Sequence, residues 1–344
     1  MSCAIVTGVT GQDGSYLAEF LLEQGYTVFG IVRRSTYPLN SSNLSNVVLT
    51  HTGFRVFTAD LTDQPSLAKV LDAAKGFKRI EVYNLAAQSH VGVSFDCPVS
   101  TVEMNTVGTL NILEVIRQSG FSDKIRMYQA STSEMFGKVQ QVPQTEQTPF
   151  YPRSPYGVSK LAAHWLVKNY RESYGLFACS GILFNHESPR RGAHFVTQKI
   201  VKALAGAEPY VELGNLDAHR DWGHARDYVR AMWLMLQQSE PEDFVVATGE
   251  QHSVREFVEL VAAERGFGVT WTGKGEGEVG VRTDTGKVLV RVNTTFYRPC
   301  EVDTLIGDST RIRSLGWTPE FTFQGLVRDM CASGSGRLDE DHAR

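Results

Sequence analysis

Four side chains have the types and the spacing to do chemistry. Tyr156 and Lys160 are four residues apart, so on a helix they share one face. There the ammonium can favour the tyrosinate form of a phenol whose ordinary pKa is ~10. Thr132 and Glu134 flank Ser133 just after a candidate strand over 125–130. A hydroxyl, a phenol and an ammonium together suit removal of a proton from an alcohol as hydride leaves its carbon. A carboxylate beside them adds the means to eliminate water, since it can take a carbon-bound proton and then help a hydroxyl leave.

These residues lie downstream of a turn, Gly8-Val9-Thr10-Gly11-Gln12-Asp13-Gly14, that follows the β-branched run Ala4-Ile5-Val6-Thr7 and precedes a helix-spaced apolar segment from Ser15 to Leu22. Strand, glycine turn and helix are the opening unit of a dinucleotide-binding fold: glycines let the backbone approach a pyrophosphate, and the helix N-terminus offers free N–H groups. The spacing is G-x-x-G-x-x-G, not the commoner G-x-G-x-x-G. A second strand, Thr27 to Val32, ends in Arg33-Arg34, where an NAD enzyme would more often carry an acid for the ribose hydroxyls. Arginine there pairs with a 2′-phosphate, so the expected cofactor is NADP. The runs ending at Asp60-Leu61 and at Leu85-Ala86-Ala87 bring further strand ends to the carboxyl edge where a dinucleotide lies.

Strand and helix alternate up to about residue 185. Helices are expected at Ser66 to Lys75, Val102 to Ser119 and Ser159 to Tyr174, and strands at Ile125 to Ala130 and Phe177 to Phe184. The alternation predicts an α/β fold, a Rossmann-like doubly wound parallel sheet over 1–185, with a smaller C-terminal part over 186–331 that mainly binds substrate. That part carries helices near Val196 to Ala205, Ala225 to Gln238 and Val254 to Arg265, and the chain is expected to return to the sheet once. The Gly/Ser-rich, charged segment 332–344 reads as a disordered tail.

With 344 residues, 42% hydrophobic and 21% charged, the chain can build a large core or two modest ones. A net charge of −4 leaves no footprint for nucleic acid, and no run of 18 apolar residues could span a bilayer. The first strand begins at once, so no signal peptide is expected, and the five scattered cysteines, Cys3, Cys97, Cys179, Cys300 and Cys331, read as reduced packing residues of a cytoplasmic protein. The histidines show no metal-ligand spacing.

Eight blocks carry a family resemblance: TGVTGQDGSYLAEFLLEQGY (7–26), YNLAAQSHV (83–91), YQASTSEMFGKVQ (128–140), PFYPRSPYGVSK (149–160), GILFNHESPRRG (181–192), LGNLDAHRDWGHARDYV (213–229), ATGEQHSVREF (247–257) and YRPCEVDTLIGD (297–308). From about Ala4 to Met330 the chain resembles the GDP-mannose 4,6-dehydratases, within the extended short-chain dehydrogenase/reductases. The resemblance implies that Tyr156 takes the proton of the sugar's 4-OH as C4 hydride passes to NADP⁺, with Thr132 holding the same oxygen. Glu134 would then remove the acidified C5 proton and help the C6 hydroxyl leave. Return of hydride to C6 would recycle a tightly held cofactor.

The resemblance further implies cofactor contacts from Gly8, Thr10, Gly11, Gln12, Asp13, Gly14, Arg33, Asp60, Leu61, Leu85, Ala86, Ala87, Gln88, Ser89, Lys160, His186 and Arg191. On the GDP-mannose side, Arg220 and Arg298 would clamp the pyrophosphate, Lys199 would face guanine, Glu301 would hold the nucleotide ribose, and Ser89 and Asn185 would be further substrate contacts. No metal is implied. A homo-oligomer, dimer or tetramer, is expected, with helices over 102–119 and 159–174 as candidates for a dimer bundle. Two departures stand out: Ser100 replaces an aromatic that relatives often place near the cofactor, and the segment from Ser35 to Leu44, which in relatives reaches a neighbouring subunit, is shorter and differently composed. Alternatives on the same fold are a nucleotide-sugar 4-reductase or epimerase, a dehydratase that also reduces its 4-keto product, and a non-enzymatic NADP sensor; Glu134 speaks against the pure reductase, and the complete Thr132, Glu134, Tyr156 and Lys160 set against the sensor.

Overall fold

The computed structural model describes residues 2–34, 39, 43–297, 300, 302 and 304–333. Six strands, β1 (Ser2–Thr7), β2 (Thr27–Val32), β3 (Phe54–Thr58), β4 (Arg79–Asn84), β5 (Ile125–Thr132) and β6 (Phe177–Leu183), form most of one sheet. After β7 (Asn185–Glu187), β8 (Val211–Leu213), β9 (His219–Arg220) and β10 (Trp222–His224), the chain returns once, and β11 (Phe244–Val246) completes a seven-stranded sheet in the order β11-β6-β5-β4-β1-β2-β3. Every pairing in it is parallel. The order reverses direction at β1 and β4, and beyond the carboxyl ends of the strands at such a reversal lies the crevice in which open α/β sheets bind ligands.

Continuously apolar strands such as β1 are covered on both faces, as parallel strands require. Helices α1 (Gln12–Glu23) and α2 (Asn46–Thr50) precede α3 (Gln64–Ala73), α4 (Val91–Asp96), α5 (Pro98–Val102), α6 (Gly108–Gln118) and α7 (Pro155–Tyr174). One core cluster joins the sheet to Leu17 and Leu21 of α1, and the other joins it to Leu67, Leu113 and Val167 of α3, α6 and α7. The smaller C-terminal part has its own core, where α8 (Val196–Lys202), α10 (Val254–Glu264) and α12 (Phe323–Ser333) pack on a second sheet, β13 (Val269–Thr272), β14 (Val279–Arg282) and β15 (Val288–Val292) with β8. Two other C-terminal helices, α9 (Ala225–Gln237) and α11 (Thr310–Arg313), serve the large sheet instead, and the short β12 (His252–Ser253) pairs with β9.

The structure departs from the sequence pattern at places that shape the cleft. The single helix expected over 102–119 is α5, a π turn (Glu103–Val107) and α6. The wide turn carries Asn105, whose buried side chain bonds the β4 loop and α7, a demand that helical periodicity does not reveal. Helix α7 starts at Pro155 rather than Ser159, because Ser154 accepts the Gly157 N–H at 3.0 Å and proline suits the first helical turn. Tyr156 therefore sits in that first turn. Strand β5 runs on to Thr132, and α8 ends at Lys202 before a second π turn (Ala203–Ala207). Segment 334–344, Arg298, Glu301 and most of the loop 35–44 lie outside the described residues.

Candidate active site

The glycine turn is shaped by two close approaches. Gly8 has φ 66° and a Cβ there would meet Ala86 N at 2.9 Å, while at Gly14 it would meet Gly8 O at 2.2 Å. At Gly11 a Cβ would touch only Gly8 O, at 3.2 Å. The chain's own packing thus leaves room over Gly11, which caps α1 without a side-chain bond to the first N–H groups. That is the cradle a pyrophosphate needs, so the residues fit a dinucleotide. Thr7 Oγ1 fixes the opposite wall by accepting both Leu85 N and Ala86 N at 3.0 Å while donating to Asn84 Oδ1 at 2.8 Å.

Nearly all of the sequence-derived candidates converge on one cleft. Its lining includes Gly8, Thr10, Gly11, Gln12, Asp13, Gly14, Arg33, Leu61, Leu85, Ala86, Ala87, Gln88, Ser89, Asn185, His186, Arg191, Lys199 and Arg220 together with Thr132, Glu134, Tyr156 and Lys160. Ser100 lines it as well. Asp60 does not: its carboxylate turns onto Thr62, accepting from N at 2.9 Å and from Oγ1 at 2.8 Å. Those bonds, the backbone one foremost, lower its pKa, with Arg33 adding a smaller pull. Asp60 is a loop-forming residue beside the arginine.

The reactive group is assembled where β5 meets α7. Thr132 is the last residue of β5, and its Oγ1 accepts the Glu134 N–H at 3.2 Å, so the chain turns directly and brings Glu134, buried, back over the strand end. Gly157 lets α7 close on that turn, since a Cβ there would lie 2.8 Å from Glu134 O. Tyr156, buried, hydrogen-bonds Thr132 and lies close enough to Glu134 to feel its charge. Burial pushes the phenol up to about 12, opposed by the Thr132 bond and reinforced by Glu134. Lys160 Nζ donates to Ala130 O at 2.8 Å, and burial brings its pKa down to about 8. Burial works against the charged form of both groups, and the Lys160 ammonium donates to a strand carbonyl one helical turn beyond Tyr156.

Other cleft residues are already committed to each other. Asp13 Oδ2 lies 2.8 Å from His186 Nε2, and His186 Nδ1 meets Phe184 O at 2.8 Å. Burial opposes both charges, yet the pair and its hydrogen bonds win: the carboxyl is lowered and the imidazole raised. The imidazole also stacks on Tyr228, and Gln12 Nε2 donates to the His186 carbonyl at 3.1 Å. This tie locks β7 to the start of α1, across the dinucleotide cradle. Arg191 Nε pairs with Glu187 at 2.9 Å and its guanidinium lies 3.6 Å from the Phe195 ring centroid.

Sequence reading missed Asn105, Ser159 and His164. Asn105 Oδ1 accepts Gln88 N at 2.9 Å, and its Nδ2 donates to Gln88 O and to Ser159 Oγ, both at 3.0 Å. It thereby ties the β4 loop to the residue preceding Lys160. His164 Nδ1 lies 3.3 Å from Ser131 Oγ beneath the end of β5. The available signal was polar residues at positions that helical periodicity assigns to buried faces.

The doubly wound sheet, with this group at its carboxyl edge, defines an extended short-chain dehydrogenase/reductase. The UDP-glucose 4-epimerase of Thermus thermophilus, solved in complex with NAD, is similar with a TM-score of 0.81 and 26% identity, covering 98% of this chain and 100% of that one. DesIV, a dTDP-glucose 4,6-dehydratase from Streptomyces venezuelae, shares the fold at a TM-score of 0.81 and 22% identity over 97% of each chain. The family model for GDP-mannose 4,6 dehydratase matches residues 5–330. Human GDP-mannose 4,6 dehydratase is 54% identical over 337 residues, 95% of this chain and 90% of that protein, and the Yersinia enterocolitica GDP-mannose 4,6-dehydratase is 50% identical over 362 aligned positions, 100% of this chain and 96% of that protein. The chain belongs to the GDP-mannose 4,6-dehydratase family.

Proposed function

We propose that this protein converts GDP-D-mannose to GDP-4-dehydro-6-deoxy-D-mannose and water, with NADP as a retained, recycled cofactor. The observation that carries the reading is the burial of Glu134 against the Thr132–Tyr156 pair: an epimerase or reductase of this fold has no step that needs a carboxylate there. When bound, the nicotinamide supplies a hydride acceptor for C4 and returns the hydride to C6. Tyr156 acts as the phenolate, favoured by the Lys160 ammonium one turn further along α7, and takes the 4-OH proton to become the neutral phenol, while Thr132 holds that oxygen and Lys160 would also orient the nicotinamide ribose. Glu134 then removes the C5 proton, made acidic by the new 4-keto group, and delivers a proton to the departing C6 oxygen.

The preference for NADP over NAD is supported by Arg33, exposed at the end of β2 on the cleft wall, with no acid in its place. Arg33→Asp is expected to weaken NADP binding by about 10- to 100-fold, the worth of a charge-assisted hydrogen bond, while NAD binding changes little. Titration of cofactor fluorescence reads this, and an unchanged preference would move the 2′-phosphate site elsewhere. Asn185, Ser89 and Arg220, which line the cleft, serve as substrate contacts in this reading.

The same reading makes the protein a homo-oligomer of the cytoplasm. Supporting the first point, Val99 of α5 and Val158 and Trp165 of α7 are 79%, 51% and 50% exposed, an apolar face on two helices that pack together. Supporting the second, Cys3, Cys97, Cys179, Cys300 and Cys331 are all unpaired, and no described helix is long and apolar enough to cross a membrane. Of these cysteines Cys97 is exposed rather than packed, contrary to the sequence expectation. Incubation with GDP-mannose and no added NADPH tests the function: mass spectrometry should find the nucleotide sugar lighter by one water. No mass change with cofactor bound would overturn the assignment.

A further inference from the structure

One part of the cleft is built from three elements that touch: β8, α8 and the 294–296 turn. Strand β8 buries Val211 and Leu213 in the C-terminal core, so the residue between them, Glu212, faces the other way and lines the cleft. The next residue after the strand, Gly214, packs on the 294–296 turn: a Cβ there would lie 3.0 Å from Phe296 O. Above that turn, Lys199 of α8 places its ammonium 4.1 Å from the Phe296 ring centroid. A carboxylate, an ammonium and an aromatic ring thus line the same cleft from elements that touch one another.

Glu212 also differs from the other cleft carboxylates. Asp13 is paired with His186, Glu187 with Arg191 and Thr197, and Glu134 belongs to the reactive group. Asp96 is exposed at the end of α4. Glu212 is half-buried and has no hydrogen-bond or ion-pair partner among the described residues. A carboxylate accepts two hydrogen bonds side by side, and an ammonium only donates. The heterocycle edge that answers both has two adjacent N–H donors beside a carbonyl acceptor. Guanine presents that edge as N1–H, the 2-amino group and O6; adenine, with an acceptor N1 and a donor 6-amino group, does not.

We infer that Glu212 is a specificity-determining residue of this enzyme, its carboxylate accepting N1–H and the 2-amino group of the substrate's guanine while Lys199 donates to O6 and Phe296 covers a face of the base. This deepens the proposed function and rests on a GDP-sugar being the substrate. The base lies far from the reacting sugar carbons, so Glu212 acts on binding rather than on the chemical step.

The test compares GDP-mannose with IDP-mannose, whose hypoxanthine lacks only the 2-amino group, in the wild type and in Glu212→Gln and Glu212→Ala. The wild type should show a KM for IDP-mannose about tenfold or more above that for GDP-mannose. Glu212→Ala should raise the GDP-mannose KM about 10- to 100-fold, the cost of losing hydrogen bonds to a charged group, keep kcat within about twofold, and bring the two substrates to nearly equal KM. Glu212→Gln, whose amide oxygen still accepts, should fall between. A wild type that does not discriminate, or an alanine variant that discriminates as the wild type does, would overturn the inference. Calorimetry of GDP and IDP binding to the same proteins separates this from the activity: if no protein dehydrates GDP-mannose yet GDP binds better than IDP through Glu212, the proposed reaction fails and the base reading stands.

Discussion

Tyr156→Phe should lower kcat for GDP-mannose by about 10³-fold, within the 10²- to 10⁴-fold that a positioned acid or base supplies, with KM within about threefold of the wild type. The phenol is buried in the first turn of α7, hydrogen-bonded to Thr132, and held up to about 12 by desolvation. Removing one oxygen leaves the ring's packing and the α7 cap in place, so the loss reports proton transfer rather than folding. Steady-state kinetics on a variant with native circular dichroism and undiminished NADP binding checks this. A rate near the wild type would mean that another group takes the 4-OH proton, and Glu134 would be the first to examine because it shares the pocket with the phenol.

Glu134→Gln should separate the two halves of the reaction. Oxidation at C4 needs Thr132, Tyr156 and Lys160, which the amide leaves untouched; elimination needs a group that accepts the C5 proton, which the amide cannot do. We expect dehydration to fall by at least about 10³-fold while the enzyme still forms one equivalent of reduced nicotinamide and a 4-keto sugar lighter by two hydrogens. Near-ultraviolet absorbance and mass spectrometry read the two products. Dehydration at the wild-type rate would remove Glu134 from the mechanism. The isosteric substitution matters structurally, because Glu134 N is bonded to Thr132 and its carbonyl lies against Gly157. Replacing the side chain without altering the turn keeps Tyr156 in place.

Much of this was legible from short-range pattern. The glycine turn, the β-branched strands and the spacing of Tyr156 and Lys160 are local properties, and they placed the first strands, the crevice and the reactive group close to where the structure has them. Features set by distant partners were not legible. The π turn at Asn105 exists to reach Gln88 and Ser159, in the second case across 54 positions of sequence. Asp13 and His186, 173 positions apart, each read as a separate cofactor contact, and only folding reveals that they hold one another. Asp60 stood at a strand end like its neighbours, yet Thr62 two residues on captures its carboxylate. The spacing of Tyr156 and Lys160 along a helix reports their proximity but not the desolvation that opposes charge on both. Glu212 gave no motif at all; its significance comes from strand alternation turning it away from a buried core into the cleft that Lys199 and Phe296 also line.

The most direct test follows the hydride itself. GDP-mannose carrying deuterium at C4 would be incubated with the purified protein, with unlabelled NADPH in excess in solution, and the product analysed by mass spectrometry and proton NMR. If Thr132, Tyr156, Lys160 and Glu134 carry out oxidation and elimination around a retained cofactor, the product has lost one water and carries the deuterium at C6. Loss of the label to the solution cofactor, or a product that has not lost water, would contradict a redox-neutral dehydratase.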